Sequence, residues 1–237
     1  MTLEELVDQL RGAYGETLRA VVLYGSAVAG EHIQKQSDYN VLVVVNEFPL
    51  DRLRATSAVA RGWRDAGNPP PMTFTTHEWQ TSSDVFPMEY ADILERHKVL
   101  YGDLPFEGIT VDPAALRLQV EHEALGVVFR LRQGVLIAGI DTKAQLNLLT
   151  ASLSSLMIIF RGILRLHGRT PPQNYAELTR DASEQASFDA APFYDVIHHV
   201  RREHTIPKDR IGSILSAYLR GMEAAAAHVD ALPYTRM

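Results

Sequence analysis

Two apolar runs framing a short polar segment near the start of the chain constrain the fold more than any other feature. Ala20-Val21-Val22-Leu23-Tyr24 leads into Gly25-Ser26, and after a ten-residue spacer Ser37-Asp38-Tyr39-Asn40 opens into Val41-Leu42-Val43-Val44-Val45. Short runs this rich in Val and Leu predict buried strands. Gly-Ser at the end of such a run predicts a tight turn, because Gly enters backbone regions closed to other residues. The layout is therefore strand, turn with a short helix, then a second strand that begins with polar and acidic chemistry. Gly, Ser and Asp are also the ordinary currency of turns, so the segment alone does not assign a function.

The elements around it read as a mixed domain followed by a helical one. Leu3, Leu6, Val7 and Leu10 recur at helical spacing and predict an opening helix that stops near Gly12 or Gly15. Strands are expected over Thr17–Tyr24, Tyr39–Val45, Met72–Thr76 and Lys98–Tyr101. Leu50–Ala66 reads as one helix with Leu53, Val59, Ala60 and Trp63 inward, and Asn68-Pro69-Pro70-Pro71 breaks the chain after it. Further helices are expected to begin at Glu78–Gln80 and to cover Met88–Glu95. After Gly102-Asp103-Leu104-Pro105 the β signals cease, and Leu116–Ala138, Ala144–His167, Tyr175–Gln185, Ala191–His204 and Arg210–Leu232 all read as helices. The second of these is apolar on nearly every side, the mark of a helix in the middle of a bundle. The boundaries that follow are 1–108 for the mixed domain and 109–237 for the helical one.

Composition narrows the function classes. The formal net charge of −6 gives the whole molecule no attraction for a polyanion, which disfavours nucleic acid as a partner. With no cysteine there is neither a disulfide framework nor a thiolate metal site, so the cytoplasm is the default compartment. No run approaches the roughly 18 uncharged apolar residues of a membrane span, and Met1-Thr2-Leu3-Glu4-Glu5 lacks the layout of a signal peptide. No membrane association is expected, while a homodimer is left open.

The Gly25-Ser26 turn, its spacer and the Ser37-Asp38-Tyr39-Asn40 segment resemble the nucleotidyltransferase superfamily, the fold shared by DNA polymerase β and the aminoglycoside nucleotidyltransferases. The resemblance implies an α+β fold: a small mixed β-sheet domain with helices packed mainly on one face, followed by an all-α C-terminal helical bundle. It implies phosphate binding by Gly25 and Ser26, through close backbone approach, a hydroxyl and the positive end of the following short helix. Ser37 would add a hydrogen bond nearby. It also implies a nucleoside triphosphate as ligand and Mg²⁺ held by carboxylates, two on the strand after the spacer and a third on a later strand alongside.

The residues present fill that acidic pattern incompletely. Asp38 takes the first position as metal ligand and catalytic residue, while the second is Asn40, a carbonyl oxygen without charge and a weak ligand at most. The run expected to carry the third, Met72-Thr73-Phe74-Thr75-Thr76, has no acid. A missing unit charge at about 4 Å is worth roughly 4 kcal/mol at an effective dielectric near 20. The expectation is a nucleotide- or phosphate-binding protein with weak or no transfer activity. The alternative is an active Mg²⁺-dependent enzyme moving a nucleoside monophosphate from a triphosphate to a small-molecule or protein hydroxyl.

Three other groups carry a sharper and a blander reading. Asp84, Glu89 and Asp92 form an acidic group after the β run, one of which would stand in for the absent carboxylate if the loop folds back; Pro87 suits a first helical position, so acids favouring a helix dipole is the simpler account. Arg161 and Arg165 lie one turn apart on the central bundle helix with Arg169 beyond them, a stripe able to face phosphate or to pair with acids of neighbouring helices. His198, His199, Glu203 and His204 have the composition of a metal site without a telling third ligand, and a polar surface helix explains them.

Overall fold

The strands form one four-stranded sheet in the order β3-β2-β1-β4. In the computed structural model, which describes residues 1–29 and 39–233 with Ser26 and Ala29 as backbone only, they are β1 (Leu18–Tyr24), β2 (Asn40–Val45), β3 (Met72–Thr75) and β4 (His97–Gly102). β1 runs antiparallel to β2 and β4, and β2 parallel to β3, so the sheet is mixed. Side-chain alternation sorts the apolar runs cleanly onto its two faces. Val21, Leu23, Val41, Val43 and Val45 join one core with Leu6, Leu10 and Tyr14 of α1 (Leu3–Tyr14) and Val59 and Trp63 of α3 (Ser57–Asp65). Ala20, Val22, Leu42 and Val44 join the other with Phe74, Trp79 of α4 (Thr76–Thr81), and Tyr90 and Ile93 of α5 (Pro87–Glu95). Helices thus cover both faces, the longer α1 on the first and the short α4 and α5 on the second.

Local chemistry fixes these helices where they start. Thr2 and Glu5 form a reciprocal capping box on α1, and Thr75 and Glu78 form another on α4. Pro87 occupies the first turn of α5, where its missing N–H costs nothing. Trp79 and Tyr90 stack at 4.5 Å between ring centroids, and the Trp79 ring N–H donates to the Pro105 carbonyl at 2.8 Å. One expectation fails here: Leu50–Ala66 is two helices, α2 (Leu50–Ala55) and α3. The Thr56 hydroxyl donates to the carbonyls of Arg52 and Leu53 and sits 3.4 Å from the buried Tyr14 hydroxyl, the side-chain-to-backbone competition that interrupts a helix. Leu53 is consequently exposed rather than inward.

The chain divides into two compact units, Met1–Asp112 and Pro113–Met237. The second contains α6 (Pro113–Ala138), α7 (Thr142–Leu166), α8 (Tyr175–Ala186), α9 (Ala191–Val200) and α10 (Ile211–Asp230). α7 supplies Leu149, Leu153, Leu156, Met157, Phe160, Ile163 and Leu164 to the core. Phe160, Phe188, Phe193 and Tyr218 interlock with centroid separations from 4.6 to 5.4 Å, and Tyr218 shares a hydrogen bond with Ser152. By length and composition α7 is apolar enough to cross a membrane, and half of that stretch is buried inside the structure. Buried Arg117 of α6 donates to the carbonyls of Leu232 and Asp230 and pairs with Glu121 at 2.9 Å, tying the end of α10 to α6. α9 stops at Val200, earlier than the sequence suggested. Arg202 at φ +60 turns the chain, and the Glu203 N–H bonds back to the His198 carbonyl.

Candidate functional site

The site builds from the C-terminal end of β1. Tyr24 pairs directly with Asn40, the first residue of β2, and the chain then turns at Gly25 into a short 3₁₀ segment, Gly25–Ala29. Gly25 has φ +79, a conformation that L side chains rarely adopt. A Cβ placed on it would lie 3.1 Å from Asn40 Nδ2. The glycine of the turn and the amide of Asn40 are therefore immediate neighbours. Ser37 and Asp38, the hydrogen-bond donor and metal ligand expected from the sequence, lie outside the described residues, as does the Ser26 side chain.

Strand parity separates the residues around this turn. Tyr39 belongs to the first sheet face, where its ring packs 6.1 Å from that of Trp63. Its backbone N–H donates to Asn68 Oδ1 at 3.0 Å, which fixes the entry to β2. Asn40, one residue on, takes the opposite parity, and Tyr24 packs against the second core. That is the face carrying α5. Burial raises the Tyr24 hydroxyl pKa to about 12, and the carboxylates of Glu89 and Asp92 add to the shift. The two acids are i, i+3 neighbours on α5 and act electrostatically on the residue paired with Asn40. Glu89 also sits in the first turn of α5, so the simple helix-dipole account holds as well.

β3 lies directly beside β2, with Leu42 opposite Met72 and Val44 opposite Phe74. It is the strand alongside on which a third acid was sought, and it carries none. Glu78, just beyond it, spends its carboxylate on the Thr75 N–H of the α4 capping box. Among the described residues no group of three His, Asp or Glu side chains is arranged to hold a metal ion. The described part of the site, with a neutral amide at Asn40 and an acid-free β3, does not fit a pair of Mg²⁺ ions.

In the helical unit the arginine stripe divides. Arg161 is 7 % exposed, and its Nε is buried with no hydrogen-bond partner among the described residues. Its guanidinium lies 5.9 Å from the centroid of the Tyr175 ring, which Arg201 approaches at 5.7 Å. Arg165 has an interaction of its own, and Arg169, beyond the helix end, pairs with Asp181 at 3.0 Å. The histidine cluster is an ordinary turn network: His198 pairs with Glu203, His204 lies 3.8 Å from Asp195, and His199 Nδ1 accepts the Ile206 N–H.

Sequence reasoning missed Tyr24 and its electrostatic coupling to Glu89 and Asp92. The available signal was parity: Tyr24 continues the alternation of Ala20 and Val22 onto the face that α5 covers. It also missed the two-cation stack on Tyr175, for which the sequence offers no periodic cue.

By sequence, the chain matches no family model and no curated protein. By structure, it is similar to spectinomycin adenyltransferase AAD(9) from Enterococcus faecialis, solved with ATP and spectinomycin, with a TM-score of 0.58 at 13 % identity over 94 % of this chain and 100 % of that one. The fold is nucleotidyltransferase-like. The α+β class, with a mixed four-stranded sheet followed by a helical C-terminal region, agrees with that assignment.

Proposed function

We propose that this protein is a nucleotide- or phosphate-binding member of the nucleotidyltransferase fold whose metal-carboxylate set is incomplete, with weak or no transfer activity. The observation that carries the reading is the closeness of Gly25 to Asn40: a Cβ on the glycine would lie 3.1 Å from Asn40 Nδ2, so the side chain beside the turn is a neutral amide. Gly25 and Ser26 would present backbone N–H groups and a hydroxyl to phosphate oxygens, and Ser37 and Asp38 would complete that edge. Arg161 and Arg165 are the two arginine candidates for a phosphate. A cytoplasmic setting suits the cysteine-free chain.

One observation favours the alternative, an active transferase. Glu89 and Asp92 act on Tyr24, the residue paired with Asn40, and so bring negative charge to the sheet face that Asn40 shares. In that reading Mg²⁺ and a nucleoside triphosphate are the cofactor and donor, and the acceptor is a hydroxyl. The similarity to an enzyme solved with ATP and spectinomycin favours a small-molecule acceptor over a protein.

Titration calorimetry with ATP, GTP, CTP and UTP, each with Mg²⁺ or EDTA, tests both readings. Binding that survives EDTA, with no pyrophosphate release in the presence of aminoglycoside-type acceptors, is the expected result. Mg²⁺-dependent affinity lost on Asp38→Ala, together with pyrophosphate release abolished by Glu89→Gln, would replace the first reading with the second. No binding of any triphosphate overturns both.

A further inference from the structure

The interruption between α2 and α3 has a cavity beside it. The Thr56 hydroxyl bonds back to the carbonyls of Arg52 and Leu53, the helix stops there, and Leu53 is left 40 % exposed. Leu53 and Thr56 line a cavity of ≈ 200 Å³ within the first unit, walled elsewhere by α1, α3, Val43 of β2 and Pro70-Pro71. Leu6, Leu10, Tyr14 and Val43 in those walls are buried. Protein interiors keep few voids larger than a water molecule, and a cavity of roughly 150 Å³ with apolar walls stays dry and takes up benzene.

The polar chemistry of the walls is sparse and unevenly satisfied. Among the described residues no charged side chain lines the cavity, and its buried hydroxyls are those of Tyr14 and Thr56. These two stand 3.4 Å apart, longer than the ordinary O–H···O bond of about 2.5–3.0 Å. The Thr56 proton is already spent on the carbonyls of Leu53 at 2.9 Å and Arg52 at 3.2 Å. Among the described residues the stretched contact is the only hydrogen bond of the Tyr14 hydroxyl. A tyrosine 2 % exposed therefore lines the cavity with a donor short of a good acceptor, a state that costs stability until an acceptor arrives.

We infer that this cavity binds a small neutral molecule of one ring, a phenol in chemical class, whose oxygen accepts the Tyr14 proton. The volume sets the single ring, the uncharged walls exclude an ion, and Tyr14 places the oxygen. Pro70 and Pro71 hold their wall in shape through ring-fixed backbone, so binding has little chain ordering to offset. The cavity lies on the sheet face of α1 and α3, whereas Tyr24 packs on the other. The inference is independent of the nucleotide site and stands whether or not that site binds anything.

Methyl NMR of the full chain, titrated separately with phenol, benzene and benzoate, tests the assignment. Phenol should shift the methyls of Leu6, Leu10, Val43 and Val59 saturably, with a dissociation constant below about 1 mM, and leave those of Leu153 and Leu156 unmoved. Benzene should move the same methyls with about 5–10-fold weaker affinity, and benzoate should not bind. Tyr14→Phe should lower phenol to the affinity of benzene and leave benzene unchanged, a split that a general loosening of the walls does not produce. Ala60→Leu, which fills the cavity from α3, should abolish binding of both. No saturable phenol shift overturns the proposal, as do benzoate binding as tightly as phenol, equal losses of phenol and benzene in Tyr14→Phe, or undiminished binding in Ala60→Leu. The ranking of the three probes on the wild-type chain decides the matter even where a variant fails to fold.

Discussion

Replacing Gly25 with alanine should cost this protein stability in two separable parts. The first is conformational: at φ +79 an L-residue loses about 1–2 kcal/mol relative to glycine, because its Cβ crowds the following carbonyl. The second is local packing. The new Cβ would lie 3.1 Å from Asn40 Nδ2, close enough to push that amide off its rotamer at about 0.5–1.5 kcal/mol. Together the substitution should destabilise the first unit by about 2–3 kcal/mol. Only the second part involves Asn40, so a double-mutant cycle with Asn40→Ala isolates it as a coupling of about 0.5–1.5 kcal/mol. With two compact units a single global unfolding free energy is poorly defined. The proper assay is native-state hydrogen exchange of the β1 and β2 amides, such as those of Leu23 and Leu42, across the four proteins. A Gly25→Ala change under about 0.5 kcal/mol, or a strictly additive cycle, would refute both the strained turn and its contact with Asn40.

Two further outcomes follow from the charges the fold has gathered. The Tyr24 pKa, raised to about 12 mainly by burial and further by Glu89 and Asp92, should fall but stay above 10 in Glu89→Gln/Asp92→Asn, read by NMR of Tyr ring carbons. Because the folded value is the higher, this tyrosine's contribution to stability is intact below about pH 10 and is lost as pH climbs through 12; an unchanged pKa in the variant would detach the two acids from the site. His167 and His228, with Nε2 atoms 2.8 Å apart, both have pKa values lowered by burial, His167 also by Arg169 and His228 also by His167. The unfolded chain therefore takes up protons first as pH drops below about 6.5, and stability of the helical unit should decline from pH 7 to pH 5. His228→Asn should flatten that decline in thermal melts, and an identical slope would exclude the pair as its source.

Much of this fold was legible because its strands are short, β-branched and bounded by strong punctuation. Val41–Val45 is apolar at every position because both of its faces are covered, the first by α1 and α3 and the second by α4 and α5. The ends of α1 and α10 fall within two residues of expectation. What failed has a common cause: a side-chain hydrogen bond or a single φ value outvoted periodicity. Thr56 divided a seemingly continuous helix by bonding to carbonyls behind it, and Arg202 ended α9 where the hydrophobic pattern ran on. At the site, Gly25 and Asn40 were visible as residues, but their contact needs the β1–β2 register, and the effect of Glu89 and Asp92 on Tyr24 needs the position of α5 on the sheet. Neither is a local property of sequence. Long-range pairing decides both.

The same register gives Asn40 a chemical meaning that a missing charge alone does not. If the Gly25 turn takes phosphate as proposed, an amide beside it can donate a hydrogen bond to the anion, whereas a carboxylate there repels one until a cation stands between them. At about 6 Å and an effective dielectric near 20, one carboxylate facing one phosphate charge costs roughly 3 kcal/mol, or about 100-fold in affinity. Asn40→Asp should therefore act in opposite directions under two conditions. In EDTA it should weaken triphosphate binding by about that factor. With Mg²⁺ it should recover or exceed the wild-type affinity, because Asp38 and the new acid then present two carboxylates to the cation. Calorimetry of the two proteins with ATP, with and without Mg²⁺, gives the four affinities needed. A variant weaker in both conditions would mean that the cleft has no room for a cation at this position. A variant unchanged in EDTA would mean that no phosphate approaches Asn40, and would remove the amide from the binding site altogether.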